Sequence, residues 1–537
     1  MITPPLCKLL KINVLCFIVK PITCQPAFFV LLFVLLGIPD IYSIFVCHSL
    51  IPLFKASLYF FLSYILSLPT IFLPVFCRRF YKVVVLLFAL FFFIVDIYLL
   101  LLYNDTLGTI SKDVIAAVFA TNPEESFEYI SVYFTIDRLF LLATFTFVPL
   151  ALFFYLRNQY YKWNNISKWM LLVFLFCSAI MTLKNINRVA DSNFYYLLSA
   201  EESPDLRAYR QNPIVICNRE NVDNVVLIIG ESFSKHNSSL YDYEKETNPL
   251  LGKLESDSML FVCDNVTSAC LSTIPAIKSI MMSYTDSMED SIEWYRCLTL
   301  IEIMQYAGYK TYWLSNQSKT GLYDNEVGRF ADLCDEQFFV GDKHSGLMRE
   351  NKDEELCPLV NDCLSDSVSS KFIIIQMMGS HSEFNKRYPA SFEVFSGNEY
   401  NTTHPLLSAK YKQVLAEYDN SILYNDYVVY DILQSFTDKE AVVLYFSDHG
   451  IDVFQSANDY IGHGKSSNAV SVKSAMQIPF MVYMTSACKD KYPHLEERIR
   501  ESLNVEYSTD SVMYSIMDVA GVETVNGVSY KHKSLFK

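Results

Sequence analysis

Side chains that can bind a metal or move protons follow apolar runs at several places in this 537-residue chain. They are Glu231 after Val225–Ile229, His381 after Phe372–Gln376, the pair Asp448 and His449 after Ala441–Leu444, and His463 in the nearby segment GHGK. Valine- and isoleucine-rich runs of this length predict buried strands. Because α/β proteins bind ligands beyond the carboxyl ends of such strands, these side chains are candidates for one common site. Considered alone, each of these side chains could instead be a structural residue or an ordinary surface residue.

A hydroxyl group elsewhere in the chain is a candidate nucleophile. The segment NVTSACLSTIP leads from a Ser- and Thr-rich turn into a predicted helix over Ile274–Ser283, with Pro275 in its first turn. Thr273 therefore lies near a helix amino terminus, where unpaired N–H groups and the helix dipole favour phosphate. The alternative is that Thr273 or Ser272 only caps the helix.

A zinc ion would give these groups a common purpose. One Glu, one Asp, one His and one hydroxyl form a four-ligand set that suits zinc. The predicted ligands are Glu231, Thr273, Asp448 and His449. Zinc would lower the pKa of the threonine hydroxyl and turn it into a nucleophile for phosphorus. Two further histidines, His381 and His463, would then stabilise charge or protonate the leaving oxygen.

The elements that must position these groups alternate between strand and helix after residue 220. The predicted strands are Val225–Ile229, Met259–Asp264, Lys310–Leu314, Phe372–Met377, Val442–Phe446 and Gln477–Met484. The predicted helices include Ile274–Ser283, Leu298–Ala307, Ala409–Phe436 and Ser511–Val519. This alternation indicates an α/β domain over 221–537, with a mainly parallel sheet covered by helices on both faces. Residues 185–220 have the composition of an exposed linker.

The first 184 residues are typical of an α-helical membrane domain. Hydrophobic residues make up 52% of the chain and charged residues only 19%, which is too apolar for an ordinary soluble protein. Five stretches approach the length needed to cross a bilayer, although the last is short. They lie near Ala27–Cys47, Ile51–Phe76, Val83–Tyr103, Leu139–Leu156 and Trp169–Leu183.

Basic residues predict the orientation of these five spans. Lys and Arg cluster before the first span, between the second and third, and between the fourth and fifth, so this side is cytoplasmic. Everything after about residue 185 then lies outside. An amphipathic pattern near 105–136 predicts a pair of interfacial helices on the outer side, where Glu125 is a candidate for facing a lipid headgroup. A net charge of −15 leaves no basic face for nucleic acid.

Fourteen cysteines are present, and eight of them follow residue 200. An extracytoplasmic location permits disulfides between them. Cys357 and Cys363 are close enough in sequence to close a small loop, although spacing alone does not give connectivity.

The combined motifs resemble the phosphoethanolamine transferases of the alkaline phosphatase/sulfatase superfamily. This lipid A- and lipopolysaccharide-modifying group includes the colistin-resistance enzymes, and the resemblance covers nearly the whole chain. GES…SLYDYEKETNP matches the metal motif that carries Glu231, NVTSACLSTIP the nucleophile motif that carries Thr273, and SDHG the Asp448–His449 pair. GSHSEFNKRYP and GHG match two further family histidines, His381 and His463.

The resemblance implies a function and a location. The expected reaction moves phosphoethanolamine from phosphatidylethanolamine to a lipid A or core lipopolysaccharide acceptor through a covalent Thr273 intermediate. One tightly bound Zn²⁺ is expected, with a second during turnover. Glu125, Asn316 and Lys319 are the implied substrate-binding residues. The resemblance also implies a multi-pass protein of the bacterial inner membrane, with its catalytic domain in the periplasm, and we expect a monomer.

Three other functions are compatible with parts of this pattern. A phosphoglycerol transferase would share the spans, the nucleophile and the metal site, but would carry a different headgroup. A sulfatase is disfavoured because it needs a modifiable Cys or Ser, and Thr273-Ile274-Pro275 occupies that place without a following Arg. An inactive membrane scaffold is disfavoured because every expected type of ligand is present.

Overall fold

The computed structural model describes most of the carboxyl-terminal part of the chain and two stretches near the amino terminus. The described residues are 18–47, 51–103, 143, 147, 213–218, 221–282, 297–317, 319, 326–340, 351–458, 460–463 and 469–537. They fall into two compact units, one formed by the amino-terminal stretches and one that begins after residue 203.

The amino-terminal unit is helical. Its helices are α1 (Pro26–Cys47), α2 (Ile51–Ser67), α3 (Pro69–Phe72) and α4 (Val75–Tyr103). A small apolar core joins α1 to α4, in which Leu32 and Leu35 pack with Ala89 and Phe93. Pro26 and Pro69 each begin a helix, where the missing N–H costs no hydrogen bond.

These helices coincide with the first three predicted membrane spans. Within the stretches that the structure describes, no helix combines the length and apolar character required to cross a membrane. Apart from residues 143 and 147, the fourth and fifth predicted spans lie outside the described residues. The interfacial helices near 105–136 and Glu125 lie outside them as well, so the five-span arrangement stays a prediction.

A seven-stranded sheet forms the centre of the carboxyl-terminal unit, in the order β3-β11-β8-β2-β7-β5-β6. The strands of this unit are β1 (Val215–Cys217), β2 (Asn224–Gly230), β3 (Leu260–Val262), β4 (Val266–Thr267), β5 (Lys310–Ser315), β6 (Glu336–Phe339), β7 (Lys371–Gln376), β8 (Ala441–Ser447), β9 (Asp452–Val453), β10 (Ile461–Gly462), β11 (Phe480–Met484), β12 (Tyr507–Ser508) and β13 (Val522–Val525).

The central strands are parallel and buried on both faces. In the register of β2 with its two neighbours, Leu227 lies opposite Ile374 of β7 and Leu444 of β8. Every residue of β2, β7 and β8 is buried, which explains why their sequences are continuous apolar runs without polar alternation. The predicted mainly parallel sheet is confirmed, with one addition: β11 runs antiparallel to both β8 and β3.

Helices cover both faces of the sheet, as predicted. They are α5 (Pro249–Ser256), α6 (Thr273–Met282), α7 (Leu300–Tyr306), α8 (Glu326–Ala331), α9 (Leu356–Ser365), α10 (Ala409–Gln434), α11 (Ala469–Met476), α12 (Ser486–Lys491), α13 (Pro493–Glu501) and α14 (Val512–Val519). Leu227 of β2 faces a core that includes Ile277 of α6, and Ile228 faces a core that includes Val428 of α10. Successive side chains of β2 thus point to opposite faces of the sheet and pack against a helical layer on each face.

Two features differ from the sequence predictions. Part of the stretch predicted as linker forms β1, which pairs antiparallel with β13. Cys357 and Cys363 do not form the small disulfide loop that their spacing permitted, because both residues lie on α9 and neither forms a disulfide. Six residues of helix separate their Cα atoms by about 9 Å along the axis, beyond the roughly 7 Å that a disulfide can bridge.

Candidate metal centre and nucleophile

Glu231 and Asp448 meet because their strands are neighbours in register. Glu231 follows β2 and Asp448 follows β8, and the last residues of these strands, Gly230 and Ser447, lie opposite each other. The Asp448 backbone N–H also donates to the Gly230 carbonyl oxygen over 3.0 Å. The two carboxylates therefore leave the same edge of the sheet side by side.

Together with His449, these carboxylates form a compact buried cluster. The possible ligand atoms of Glu231, Asp448 and His449 all lie within 4.8 Å of one another. His449 Nε2 is 3.2 Å from Glu231 Oε1 and 3.5 Å from Asp448 Oδ2. At most 2% of each of the three side chains is exposed. The strand ends thus gather three donor groups from two distant segments of the chain.

Thr273 adds a hydroxyl group to this cluster. It is the first residue of α6, and its hydroxyl donates to Glu231 Oε2 over 3.0 Å. The same oxygen lies 3.4 Å from His449 Nε2. The Thr273 side chain therefore points into the carboxylate–imidazole cluster, and the four predicted ligands are brought together.

The donors fit a divalent cation such as zinc. Asp448 Oδ2 is buried and has no hydrogen-bond partner among the described residues, which is costly for a carboxylate oxygen unless a cation supplies the missing contact. His449 Nδ1 lies 2.9 Å from the Gly450 carbonyl oxygen. When Nδ1 carries the proton that it donates to this carbonyl, the neutral ring has its lone pair on Nε2, the atom that faces the carboxylates. Carboxylate oxygen, imidazole nitrogen and hydroxyl oxygen are ligands that zinc accepts.

The two carboxylates differ in their preference for a proton. Burial and the neighbouring Glu231 charge raise the pKa of Asp448 well above its usual range. Burial opposes ionisation of Glu231 too, but the His449 imidazole holds the Glu231 pKa below its usual range. Burial alone would lower the pKa of His449, whereas Asp448 and Glu231 together raise it to about 9. A metal cation entering the cluster would therefore displace a proton.

Two more histidines flank the cluster. The His463 ring stacks on His449 with a centroid separation of 4.2 Å, and its Nδ1 lies 2.7 Å from the carbonyl oxygen of Leu271, two residues before Thr273. Burial and the charge of His449 lower the pKa of His463 to about 3. Burial lowers the pKa of His381 to about 4, although Glu231 opposes the shift. Both imidazoles are therefore neutral near pH 7, so neither adds a positive charge to the cluster.

A glycine allows the loop of His381 to lie against Glu231. Gly379 has φ +52°, and a Cβ at this position would stand 2.7 Å from the Glu231 backbone N and O atoms. The next residue, Ser380, donates its N–H to the Glu231 carbonyl oxygen over 2.9 Å. Only glycine accommodates both this φ value and this approach.

The predicted substrate-binding residues have partners elsewhere in the domain. The Asn316 amide donates to Asp353 Oδ1 over 2.8 Å, and the Lys319 ammonium binds Asp332 Oδ1 at 2.7 Å. The structure gives both residues a structural partner, and their role in binding substrate stays a prediction.

Sequence reasoning missed Gln317, which lies between these two residues. Its Nε2 is 3.3 Å from Glu231 Oε2. Gln317 follows β5, whose carboxyl end lies at the same edge of the sheet as β2 and β7. Its position after a strand was the available signal in the sequence. A neutral amide is neither an acid, a base nor a usual zinc ligand, so its residue type did not mark it as functional.

Several known proteins resemble this chain in sequence. The family model described as Sulfatase matches residues 223–522, more than half of the chain. Among curated proteins, the chain is similar to the phosphoethanolamine transferase EptC of Escherichia coli O18:K1:H7. The two are 27% identical over 446 residues, which cover 77% of this chain and 75% of that protein.

Two solved structures share the fold. The integral membrane protein lipooligosaccharide phosphoethanolamine transferase A from Neisseria meningitidis aligns with a TM-score of 0.65 at 18% identity, covering 95% of this chain and 97% of that chain. The carboxyl-terminal periplasmic domain of Escherichia coli EptC, in complex with Zn, aligns with a TM-score of 0.55 at 24% identity, covering 61% of this chain and 90% of that chain.

Proposed function

The chain belongs to the sulfatase family and is a transferase related to phosphoethanolamine transferases, and on this premise we propose that it transfers phosphoethanolamine from phosphatidylethanolamine to lipid A or core lipopolysaccharide. The observation that carries the proposal is the Thr273 hydroxyl, which donates to Glu231 within the cluster of metal-binding groups. A hydroxyl in this setting suits a nucleophile that attacks phosphorus.

Zinc is the proposed cofactor, held by Glu231, Thr273, Asp448 and His449. When bound, it supplies a Lewis acid that lowers the pKa of a hydroxyl ligand. Asp448 Oδ2, which accepts no hydrogen bond from the described residues, supports a cation at this place. We propose one tightly bound ion and a second one during turnover.

The first step forms a bond between Thr273 Oγ1 and the phosphorus of phosphatidylethanolamine. The Thr273 hydroxyl gives up its proton, the bond from phosphorus to the glycerol oxygen breaks, and that oxygen takes up a proton as diacylglycerol leaves. The phosphoryl oxygens then lie at the amino terminus of α6, where unpaired N–H groups stabilise negative charge. Thr273 is left carrying phosphoethanolamine as a phosphodiester.

The second step moves the group to the acceptor. A phosphate or hydroxyl oxygen of the acceptor attacks the same phosphorus, and the bond to Thr273 Oγ1 breaks. We propose that His463 and His381, which are neutral near pH 7, take up the proton of the attacking hydroxyl as negative charge builds on the phosphoryl group, and return a proton to the leaving oxygen. We assign His463 to the side of Thr273, because its ring contacts His449 and the Leu271 carbonyl.

The proposed location is the bacterial inner membrane, with the catalytic domain in the periplasm and the chain acting as a monomer. A protein held at the surface that contains its donor lipid meets that lipid at a high effective concentration. Glu125, Asn316 and Lys319 remain the proposed substrate contacts.

A donor comparison tests the function. The full chain would be incubated with phosphatidylethanolamine or with phosphatidylglycerol, each with lipid A as acceptor, and the products weighed by mass spectrometry. We expect lipid A to gain phosphoethanolamine from the first donor only. Transfer of phosphoglycerol from the second donor alone would overturn the proposal in favour of a phosphoglycerol transferase. The Thr273→Ala variant is the matched control.

A further inference from the structure

Gln317 shares an acceptor atom with the candidate nucleophile. Its Nε2 lies 3.3 Å from Glu231 Oε2, and the Thr273 hydroxyl donates to the same oxygen over 3.0 Å. The other Glu231 oxygen, Oε1, faces His449 Nε2 at 3.2 Å and accepts the Ser232 hydroxyl at 2.8 Å. Gln317 and Ser232 therefore hold the two ends of one carboxylate.

The hydrogen-bonding groups of the Gln317 side chain are occupied. Its Nε2 also donates to the Met377 carbonyl oxygen over 3.0 Å, and its Oε1 accepts from Gln376 Nε2 over 2.8 Å. An amide nitrogen has two hydrogens, and both are used. The opposite orientation of the amide would turn its oxygen toward a carboxylate and a carbonyl, so the orientation follows from its partners. Gln317 thus lacks a free donor for a substrate.

A chain of amides anchors Gln317 to the sheet. Ser315 of β5 and Gln376 of β7 lie opposite each other in the register. The Ser315 hydroxyl donates to Gln376 Oε1 over 3.2 Å and also accepts the Gln317 backbone N–H over 3.0 Å. The paired strands β5 and β7 therefore hold the Gln317 side chain in place, and Gln317 in turn contacts Glu231.

We propose that Gln317 is a positioning residue for the metal centre: it holds the Glu231 carboxylate so that one oxygen faces Thr273 while the other faces His449. This inference rests on the proposed function of the site. Without Gln317, the Thr273 hydroxyl would be the one donor left to Glu231 Oε2 among the described residues, and the carboxylate would be freer to rotate. Partners that orient metal ligands typically change metal affinity or activity by about 10- to 100-fold when they are removed.

Zinc affinity of the full chain tests the proposal. Gln317→Met keeps the volume of the side chain but removes its donors, and Gln317→Ala removes the side chain. We expect both variants to bind zinc about 10-fold more weakly or worse in competition with a chromogenic chelator. The kcat for transfer should fall while KM for phosphatidylethanolamine stays unchanged, because Gln317 has no donor left for the lipid. Gln434→Ala, at the exposed carboxyl end of α10, should leave both zinc affinity and kcat unchanged.

A second variant covers the case in which the Gln317 variants fold poorly. Gln376→Ala removes the partner of Gln317 Oε1, so it should also weaken zinc binding, and combining it with Gln317→Met should add little. Zinc affinity equal to that of the wild type in folded Gln317→Met, or in Gln376→Ala if only that variant folds, would overturn the inference.

The outcomes separate this inference from the proposed function. One outcome is a wild-type chain that binds zinc but transfers nothing, which contradicts the proposed function. Weaker zinc binding by Gln317→Met than by this wild-type chain would still support the positioning role. Transfer by the wild type with unchanged zinc affinity in Gln317→Met would leave the function standing and remove the positioning role.

Discussion

The Thr273 hydroxyl lies 3.0 Å from Glu231 Oε2, although 42 positions separate the two residues in the sequence. Glu231 directly follows the central strand β2, and Thr273 begins helix α6, which packs on the sheet. The contact joins the candidate nucleophile to a candidate metal ligand. A substitution that moves one residue relative to the other should therefore lower the rate of transfer even where the fold is kept.

Gly379 offers a test of this dependence on position. A Cβ at Gly379 would stand 2.7 Å from the Glu231 backbone, so Gly379→Ala should displace Glu231 or the His381 loop and lower kcat by at least about 100-fold, as displacements of about 1 Å can do. Gly308→Ala is the matched control. Gly308 also has a positive φ, +93°, but apart from its chain neighbours no atom of the described residues lies within 4 Å of its ideal Cβ.

Both glycine variants carry the cost of a left-handed backbone, about 1–2 kcal/mol, so stability should fall in each. Only Gly379→Ala should lose activity when transfer is measured at a temperature where both are folded. Equal activity of the two variants would contradict the role given to the Gly379 approach.

His463 should contribute to the reaction without holding the metal. His463→Ala removes a proton-transfer group, and we expect kcat to fall by about 10²- to 10⁴-fold while the zinc content per chain stays that of the wild type. Kinetics and metal analysis on the same preparation measure both quantities. The control is His494→Ala, since the His494 side chain is 95% exposed. Loss of zinc in His463→Ala would move His463 into the ligand set instead.

Asp419 should make stability depend on pH. This carboxylate is buried in α10 and accepts hydrogen bonds from Tyr243, Tyr400 and Asn237. Burial raises its pKa to about 7, against the hydrogen bonds from these partners, which lower it. The unfolded chain has a value of about 3.9, so the folded chain binds the proton more tightly. The contribution of Asp419 to stability is therefore full below about pH 4 and is lost as the pH rises to about 7.

Asp419→Asn removes this dependence. The unfolding midpoint of the wild-type chain should fall more between pH 5 and pH 8 than that of the variant, when both are measured by calorimetry. Asp426, whose pKa is also raised to about 7 by burial, leaves a residual slope in both proteins. An identical pH dependence in wild type and Asp419→Asn would contradict the assignment, and the exposed Asp257→Asn serves as the control.

The sequence predicted the centre of the fold well and its margins less well. The strands that became β2, β7 and β8 were predicted to within one or two residues, because uninterrupted apolar runs occur where both faces of a sheet are buried. The antiparallel direction of β11 was not predicted, since direction depends on the connections and not on composition. The short strand β6, with the mixed sequence EQFF, has no such pattern and was missed.

The candidate site, too, could be predicted from the sequence only in part. The ends of adjacent parallel strands must meet, so the clustering of Glu231 with Asp448 and His449 could be anticipated from the sequence. Gln317 could not be singled out, because its importance comes from the partners that the folded sheet gives to an ordinary amide. Asn316 illustrates the converse, since a residue chosen for substrate has a buried structural partner in Asp353.

The proposed function requires a covalent phosphoethanolamine–Thr273 intermediate, which the mass of the peptide that contains Thr273 would reveal. The full chain would be mixed with phosphatidylethanolamine in the absence of acceptor, quenched and digested, and the peptide that contains Thr273 would be weighed. We predict that this peptide gains one phosphoethanolamine group in the wild type and gains nothing in Thr273→Ala, which also loses transfer. An unmodified Thr273 peptide, together with continued transfer by Thr273→Ala, would contradict the account.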